Sequence, residues 1–260
     1  MKEIIITLLA TLLLSCNSEK SQKNESSYKD NSISQMNSIV TQADTSFVDF
    51  FYKFMWDKEF QKSRVLFPIK KNGIEIKTSE EWRYLPFYTE SEYIPTLTSD
   101  TLSIFDKDVI LESTKMYIID FKKDIVETFV FEKVNKNWHL KNSDKTTFTN
   151  LPDFDFINFL TQFSNDSIFQ IKSISFPLTE SFTDSDNDYE IVTKTLKQED
   201  WKFWLLDDDI NRLMILSNIQ TENKYRNIFL RGVENGIWLK LTFERINENW
   251  KLIKLEDYST

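Results

Sequence analysis

The chain has 260 residues and a formal net charge of −9, and it contains 22 Phe, 7 Trp, 5 Pro and 3 Gly. The low Gly and Pro content excludes a collagen-like or linker-like protein. Because an acidic surface repels phosphate backbones, we expect no nucleic-acid partner. One histidine and one cysteine also exclude a zinc site built from His and Cys ligands.

Residues 1–16 are predicted to be an export signal that ends at a lipidated cysteine. The apolar run Ile4–Leu14 suits a signal-peptide core, and it is too short for a transmembrane helix, which needs about 20 residues. The run ends in the sequence Leu-Leu-Ser-Cys, which resembles a bacterial lipobox, and Cys16 is the only cysteine. We therefore expect a lipid anchor at Cys16, with an ordinary cleaved signal peptide as the alternative.

Residues 17–43 are predicted to be a flexible tether between this anchor and the folded part. The segment 17–37 is rich in Ser, Asn, Lys and Glu and has few large apolar residues, so it cannot bury enough surface to offset its ordering entropy. Asn17 follows Cys16, and no Asp stands there to suggest retention at the inner membrane. We expect an outer-membrane lipoprotein, on either the periplasmic or the surface face.

The rest of the chain is predicted to hold two copies of one domain, at residues 44–150 and 151–260. A fixed internal period determines the architecture, and a period of this length suits a small domain. Dipeptides recur at a constant spacing of 109 residues: Phe60-Gln61 and Phe67-Pro68 return as Phe169-Gln170 and Phe176-Pro177.

Each copy is predicted to begin with helices. Residues 44–46 form an N-cap cluster, and four phenylalanines then follow at the spacing of one helix face: Phe47, Phe50, Phe51 and Phe54. Asp57 is expected to cap a second, short helix. A further helix is predicted to start at residues 78–82 and to end before Pro86.

Strands are predicted to follow, because β-branched and aromatic residues alternate with turn residues. In the first copy the strands lie at residues 65–69, 116–121 and 125–134, and the second copy has a hairpin of 228–233 and 237–246 around Asn235-Gly236. Helices followed by long hairpins predict an α+β fold made of two tandem repeats, each with helices packed on a curved antiparallel sheet.

The order of helix, short helix, strand, helix and long strands resembles the nuclear-transport-factor-2-like cone fold in both copies. In that fold a curved sheet wraps around helices and leaves a pocket at its open end. The lipobox at Cys16, the tandem arrangement and the composition together resemble a family of Bacteroidota lipoproteins described as a domain of unknown function. This resemblance implies a cone-like fold and an envelope location, and it implies no reaction.

Candidate ligand contacts lie in the aromatic segment after the Phe-Pro strand. They are Trp82 and Tyr84 in the first copy and Trp201 and Phe203 in the second. Residues that match between the copies are expected in the core, so a function carried by one copy should lie where the copies differ, as Tyr84 and Phe203 do. His139 is interpreted as an exposed strand residue rather than a catalytic base.

An acidic loop in the second copy is the candidate metal site. The second copy has ten more residues than the first between the Phe-Pro strand and the Trp segment, and they include Asp184, Asp186 and Asp188. Their alternate spacing resembles the start of a calcium loop, but the later Gly and Glu of an EF-hand are absent. A solvated loop is the preferred interpretation, and calcium is the alternative. A second acidic run, Asp207–Asp209, is interpreted as a helix N-cap.

No catalytic motif is present, since the chain has no Gly-x-Ser-x-Gly and no phosphate-binding loop. We therefore expect a non-enzymatic envelope protein that has no cofactor and that binds a small molecule or an envelope protein. One alternative is a hydrolase or isomerase that uses an Asp or Glu in a pocket. That carboxyl group would lie beside an aromatic hydroxyl or indole and would have a raised pKa. The other is a purely structural module, which predicts no cavity of roughly a few hundred Å³.

Overall fold

A computed structural model describes residues 43–44, 46–87, 93–99, 111–151, 153–216 and 224–260. The predicted signal segment, its Cys16 and nearly all of the predicted tether lie outside the described residues. Among the helices in the described ranges, none is both long enough and apolar enough to cross a membrane.

Two helices open the first half of the chain (residues 44–150), as the phenylalanine spacing predicts. Helix α1 spans Phe47–Trp56 and helix α2 spans Lys58–Ser63. The side chains of Ser46 and Asp57 accept hydrogen bonds from backbone amides in the first turns of α1 and α2, so both predicted N-caps are present. The apolar face of α1 is buried and consists of Phe47, Phe50, Phe51, Phe54 and Met55.

Six described strands follow in the first half. The β1–β2 turn is formed by Asn72 and Gly73, both at positive φ, and the β5–β6 turn by Asn135 and Lys136, also at positive φ. The strands are β1 Ile69–Lys71, β2 Ile74–Ile76, β3 Tyr93–Thr98, β4 Ser113–Asp120, β5 Ile125–Val134 and β6 Asn137–Thr146.

The second half (residues 151–260) follows the same order with longer strands at its start. A short 3-10 helix, Phe148–Asn150, leads into it, and a second one lies at Gln198–Asp200. Its helices are α3 Phe154–Asn165, α4 Ser167–Lys172 and α5 Leu206–Ile210. Its strands are β7 Ile174–Asp184, β8 Glu190–Leu196, β9 Arg212–Leu216, β10 Tyr225–Gly232, β11 Trp238–Ile246 and β12 Asn249–Asp257.

All the described strands belong to one sheet, in the order β2-β1-β6-β5-β4-β9-β3-β10-β11-β12-β7-β8. Each half lends one strand to the other, since β9 pairs with β4 and β3 pairs with β10. The two lent strands lie side by side and run parallel, with Thr96 opposite Met214. The sheet therefore crosses the predicted domain boundary at residues 150 and 151, and residues 42–260 form one compact unit.

The two halves bury their helices on opposite faces of this sheet. Along β9, Leu213 and Ile215 lie in the core that contains α3, whereas Met214 and Leu216 lie in the core that contains α1. Successive residues of a strand point to opposite faces, so β9 serves both cores at once. The central strands are consequently covered on both sides, and four of the five residues of β9 are apolar and buried.

The sheet is large and curved, and the fold is α+β, as predicted. The strand register shifts between Val130 and Phe131 and between Thr242 and Phe243, and a bulge of this kind bends its strand. The expectation of a wholly antiparallel sheet is wrong, because three strand pairs are parallel: β1 with β6, β3 with β9, and β7 with β12. Parallel neighbours need long connections, which hairpin signals in the sequence do not detect.

Three predicted local elements differ from the structure. Residues 78–82 form turns instead of a helix, and the first strand begins at Ile69 rather than at residue 65. The acidic run 207–209 lies inside α5, whose N-cap is Leu205. In the first and third cases tertiary contacts outweigh weak local preferences, because Trp82 and Asp209 each bond to a distant part of the chain.

Candidate ligand-binding cavity

A cavity of about 570 Å³ lies between α1 and the central strands of the sheet. Its volume falls within the range of about 300–1,000 Å³ that small-molecule sites usually occupy. Both halves of the chain line it, because the strands beneath α1 include β3, β9 and the end of β10. The exchange of strands therefore builds this cavity.

Helix α1 forms one wall of the cavity. Phe47, Phe51 and Met55 stand four residues apart on the buried stripe of the helix. The neighbouring stripe carries Tyr52 and Trp56 to the opening, where their side chains are 58% and 39% exposed. The two rings meet edge to face with their centroids 6.4 Å apart. The wall thus changes from buried apolar groups to amphipathic aromatic groups at the mouth.

The floor of the cavity consists of two parallel strands from different halves. Ile94 and Thr96 come from β3, and Met214 and Leu216 come from β9. The Thr96 hydroxyl lies 3.4 Å from the backbone carbonyl of Ile94, to which it donates a hydrogen bond. Apart from this hydroxyl, the side chains of the floor are apolar, which favours an apolar ligand body.

Charged side chains stand at the mouth. Arg231 lies on β10 directly opposite Ile94 of β3, so the two side chains share one face of the sheet. Glu234 belongs to the exposed β10–β11 turn and has a φ of 60°. Asp49 lies in the first turn of α1, where its carboxylate accepts a hydrogen bond from the Ser46 hydroxyl at 2.9 Å. Arg231 is therefore held by the sheet, whereas Asp49 and Glu234 lie on the outer rim of the cavity.

The corresponding region beside α3 is filled. Helix α5 and the 3-10 helix Phe148–Asn150 both pack on α3. Leu151, Leu206 and Ile210 are buried in the same core as the apolar face of α3. The α3 residues that stand 109 positions after the cavity-lining Val48 and Met55 are Ile157 and Ser164, and both are buried.

Two glutamines hold the aromatic segments in both halves. The Gln61 amide nitrogen donates to the carbonyls of Phe54 and Leu85, each at 3.1 Å, and its oxygen accepts from the Trp82 indole at 3.3 Å and the Leu85 amide at 2.7 Å. These four bonds use the full capacity of the side-chain amide. Gln61 is fully buried.

Gln170 makes the same four bonds in the second half. Its nitrogen donates to the carbonyls of Phe163 and Trp204 at 2.9 and 2.7 Å, and its oxygen accepts from the Trp201 indole and the Trp204 amide, both at 3.0 Å. The sequence signal was the recurring Phe-Gln dipeptide, whose glutamine the sequence analysis left without a role.

The four candidate ligand contacts lie outside the cavity lining. Trp82 and Trp201 are held by the two glutamines. The Tyr84 hydroxyl donates to the Met55 carbonyl, and burial raises the pKa of Tyr84. Phe203 is 43% exposed. The structure therefore brings each tryptophan to its glutamine and does not bring the four side chains into one site.

The acidic loop of the second half forms the turn of the β7–β8 hairpin, which the ten extra residues lengthen. Asp184 accepts a hydrogen bond from the Asp186 amide at 3.0 Å, and Asp186 and Asp188 are exposed. Within the described ranges, no three His, Cys, Asp or Glu side chains form a group that could hold a metal ion. The bonds of Asp184 are those of a turn residue.

Carboxylates beside aromatic donors occur outside the cavity lining. The Tyr93 hydroxyl donates to one oxygen of Asp209, and the Trp204 indole donates to the other at 2.6 Å. This cluster joins α5 to the lent strand β3. Its residues come from distant parts of the chain, which is why the sequence could not reveal it.

Glu256 also bears on the enzyme alternative, because it is buried and accepts a hydrogen bond from the Tyr258 hydroxyl at 3.2 Å. Burial by itself would raise the pKa of Glu256, but the ammonium groups of Lys254 and Lys240, at 2.8 and 3.2 Å, outweigh burial and hold the pKa below its usual value. A carboxylate with a lowered pKa is a poor general base.

Comparison with solved structures supports the fold. The chain is similar to an NTF2-like protein, BF2862, from Bacteroides fragilis NCTC 9343, with 27% sequence identity and a TM-score of 0.64. The match covers 84% of this chain and 98% of that one. Among curated proteins, none matches the chain.

The comparison with protein families covers almost the whole described region. Residues 26–257 match the family described as a domain of unknown function, DUF4348. That match includes both halves, the strand exchange and every residue that lines the cavity. The chain belongs to the DUF4348 family.

Proposed function

We propose that this protein is a non-enzymatic binding module that holds a small, largely apolar molecule in the cavity beside α1. The observation that carries the proposal is the cavity itself, about 570 Å³ in volume, with an apolar floor and wall. A purely structural module would fill this space with its own side chains, as happens beside α3.

The lining has the composition of a binding surface. Tyr52, Trp56 and Arg231 stand at its mouth, where Tyr and Trp combine an apolar ring with a polar group and Arg supplies several N–H donors. Met55 and Met214 supply flexible, polarisable side chains that adapt to different ligand shapes. Both features favour binding over a purely architectural role.

The test is the binding of the neutral fluorophore N-phenyl-1-naphthylamine to the folded protein. We expect saturable binding with one molecule per chain. Met214→Trp places an indole in the cavity and should abolish binding, whereas Ile74→Trp adds the same side chain on the exposed β2 strand and should leave binding unchanged. A folded wild-type protein that binds no fluorophore would contradict the proposal.

We also propose that the protein acts at the cell envelope, anchored to the outer membrane through a lipid on Cys16. The support is the sequence Leu13–Cys16 after an apolar run of signal-peptide length. Metabolic labelling with an alkyne fatty acid should mark the wild type and leave Cys16→Ser unmarked. Labelling of Cys16→Ser would refute the anchor.

The halves are further proposed to descend from one duplicated unit. Supporting contacts include the two glutamine networks and the ring pairs Phe47–Trp138 and Phe156–Trp250, which have centroids 5.0 Å apart at 74° and 77°. An unrelated pair of halves would have no reason to share these angles.

A second candidate function is that of a hydrolase or isomerase. The observation that favours it is Asp209, which accepts from both Tyr93 and Trp204. Turnover of an ester or lactone substrate that Asp209→Asn abolishes, in a variant that still binds the fluorophore, would favour the enzyme. The lack of turnover across such substrates favours the binding module.

A further inference from the structure

We propose that the cavity selects amphiphiles with one carboxylate, and that Arg231 binds that carboxylate at the mouth. This inference rests on the proposed function, since it names the ligand class of the same cavity. The ligand would place its apolar body on β3, β9 and α1, and its acidic head would point outward.

The position of Arg231 on the sheet is the first reason. Arg231 lies opposite Ile94 in the β3–β10 ladder, and Cβ atoms of such partners lie about 4.5–5.5 Å apart. Ile94 belongs to the floor of the cavity. The guanidinium group is therefore attached beside the apolar floor, within the reach of a head group whose tail lies on Ile94.

The chemistry of the lining is the second reason. Arg231 is the sole basic residue among the described residues that line the cavity. Its guanidinium offers five N–H donors, so it can bind a carboxylate in a two-bond geometry while it keeps contacts with the protein. Its side chain is exposed.

The two acids of the rim do not offer an equivalent site for a cation. The Asp49 carboxylate is bonded to the Ser46 hydroxyl, and it lies at the positive end of α1. Glu234 lies in the turn after β10, outside the β3–β10 ladder that places Arg231 beside the floor. Neither acid lies on the strand that pairs with the floor strand β3, so an ammonium head group would lack the position beside the floor that Arg231 gives a carboxylate.

The test compares three ligands with one alkyl chain: decanoate, decanol and decylammonium, each below its micellar concentration. Each competes with N-phenyl-1-naphthylamine for the full-length protein. We expect decanoate to bind roughly tenfold more tightly than decanol, the ratio that a charge-assisted hydrogen bond of about 1.5 kcal/mol gives. Decylammonium should bind more weakly than decanol.

Variants then assign the preference to Arg231. Arg231→Gln should bring decanoate to the affinity of decanol while leaving decanol unchanged, and Arg231→Lys should retain part of the preference. Arg83→Gln removes an exposed arginine outside the cavity lining and should change nothing.

The outcomes separate the two proposals. Equal affinities for decanoate and decanol, or a decanoate preference that survives Arg231→Gln, would overturn the carboxylate inference while the binding module stands. Fluorophore binding without displacement by any of the three ligands would also overturn it. Failure of the fluorophore itself to bind the wild type would remove the proposed function and this inference together.

Discussion

The surroundings of α1 and α3 differ, although the two helices occupy equivalent places in their halves. Helix α1 packs Phe47, Phe50, Phe51 and Phe54 on the curved sheet, and α3 packs Phe156, Phe159, Leu160 and Phe163 there. A fully buried glutamine bonds each helix to the segment that follows it. Beside α3 the space is filled by Leu206 and Ile210 of α5. Beside α1 a cavity of about 570 Å³ is open.

This difference is the basis of the proposal that the second half contributes stability and the first half contributes a binding site. The conserved geometry lies in the contacts beneath the helices, where close packing tolerates little change. The residues that pack on the other side of each helix contribute less to this shared geometry, so they can differ between the two halves. Four predictions test this division, beginning with the largest expected effect.

Replacing either glutamine should cost the same free energy of unfolding. Gln61→Met and Gln170→Met each leave two carbonyls, one amide and one indole without a partner, so we expect a loss of about 4 kcal/mol in each case. Urea unfolding measures the loss, and the exposed Gln162→Met on α3 is the control. Costs that differ by more than about 2 kcal/mol would show that the halves do not share one frame.

Adjacent residues of β9 should respond in opposite ways to enlargement. Ile215→Phe enlarges a side chain in the filled core of α3 and should lower the free energy of unfolding by about 2 kcal/mol. Leu216→Phe points into the cavity, so we expect a loss below about 1 kcal/mol together with weaker fluorophore binding. Equal destabilisation by both variants would mean that the space beside α1 is not available to a ligand.

A single substitution should create in the first half a contact that the second half already has. The Trp250 indole donates to Asp155 at 3.1 Å, whereas the buried Trp138 indole nitrogen has no hydrogen-bond partner among the described residues. Asp155 stands 109 residues after Ser46.

Ser46→Asn keeps an N-cap of equal quality, offers the Trp138 indole an amide oxygen as acceptor, and has an amide nitrogen that can replace the Ser46 hydroxyl as donor to Asp49. We therefore expect a gain of about 1 kcal/mol in unfolding free energy. The gain should vanish in the background of Trp138→Phe, and Asp155→Ser should cause a loss of similar size. A gain that persists without the indole would come from the N-cap alone.

The smallest expected effect concerns His139, whose counterpart in the second half is Lys251. Burial lowers the pKa of His139, and nearby Arg64 adds to this, against the opposing hydrogen bond to the Asn137 carbonyl. A folded-state pKa below the unfolded value means that the neutral form stabilises the fold above about pH 6.5, and that this stability is lost as the pH falls through the folded pKa.

Urea unfolding between about pH 7.5 and 5.5 should therefore show a small decrease that His139→Gln removes, because carboxylates titrate mainly below this window. An unchanged pH dependence in His139→Gln would assign the decrease to other groups.

Much of the local structure followed from residue spacing. The phenylalanine stripe predicted α1, Asp57 predicted the start of α2, and the Asn-rich turns predicted the β5–β6 and β10–β11 hairpins. These elements depend on contacts between residues that are close in sequence, where periodicity and turn chemistry act directly.

The strands β3 and β9 were missed for a physical reason. Strands β3 and β9 each pair with strands from the other half. No hairpin turn connects such partners, so the sequence contains no local signal for the pairing. The resemblance to the cone fold implied a pocket, but its lining was missed for the same reason, because Thr96 and Met214 become neighbours only through the exchange. Trp82 and Trp201 were predicted as ligand contacts because they are aromatic and lie near the segment in which the two copies differ in length. Residue spacing does not reveal their bonds to the buried glutamines, because the partners are distant in sequence.

The sequence by itself determined the helix faces, the turns and the spacing of 109 residues, because these depend on the pattern of apolar and turn residues along a short stretch of chain. Only the tertiary structure decided that the halves exchange strands and bury their helices on opposite faces of one sheet. That choice depends on which distant strands satisfy each other's backbone hydrogen bonds, and the open space beside α1 is its consequence.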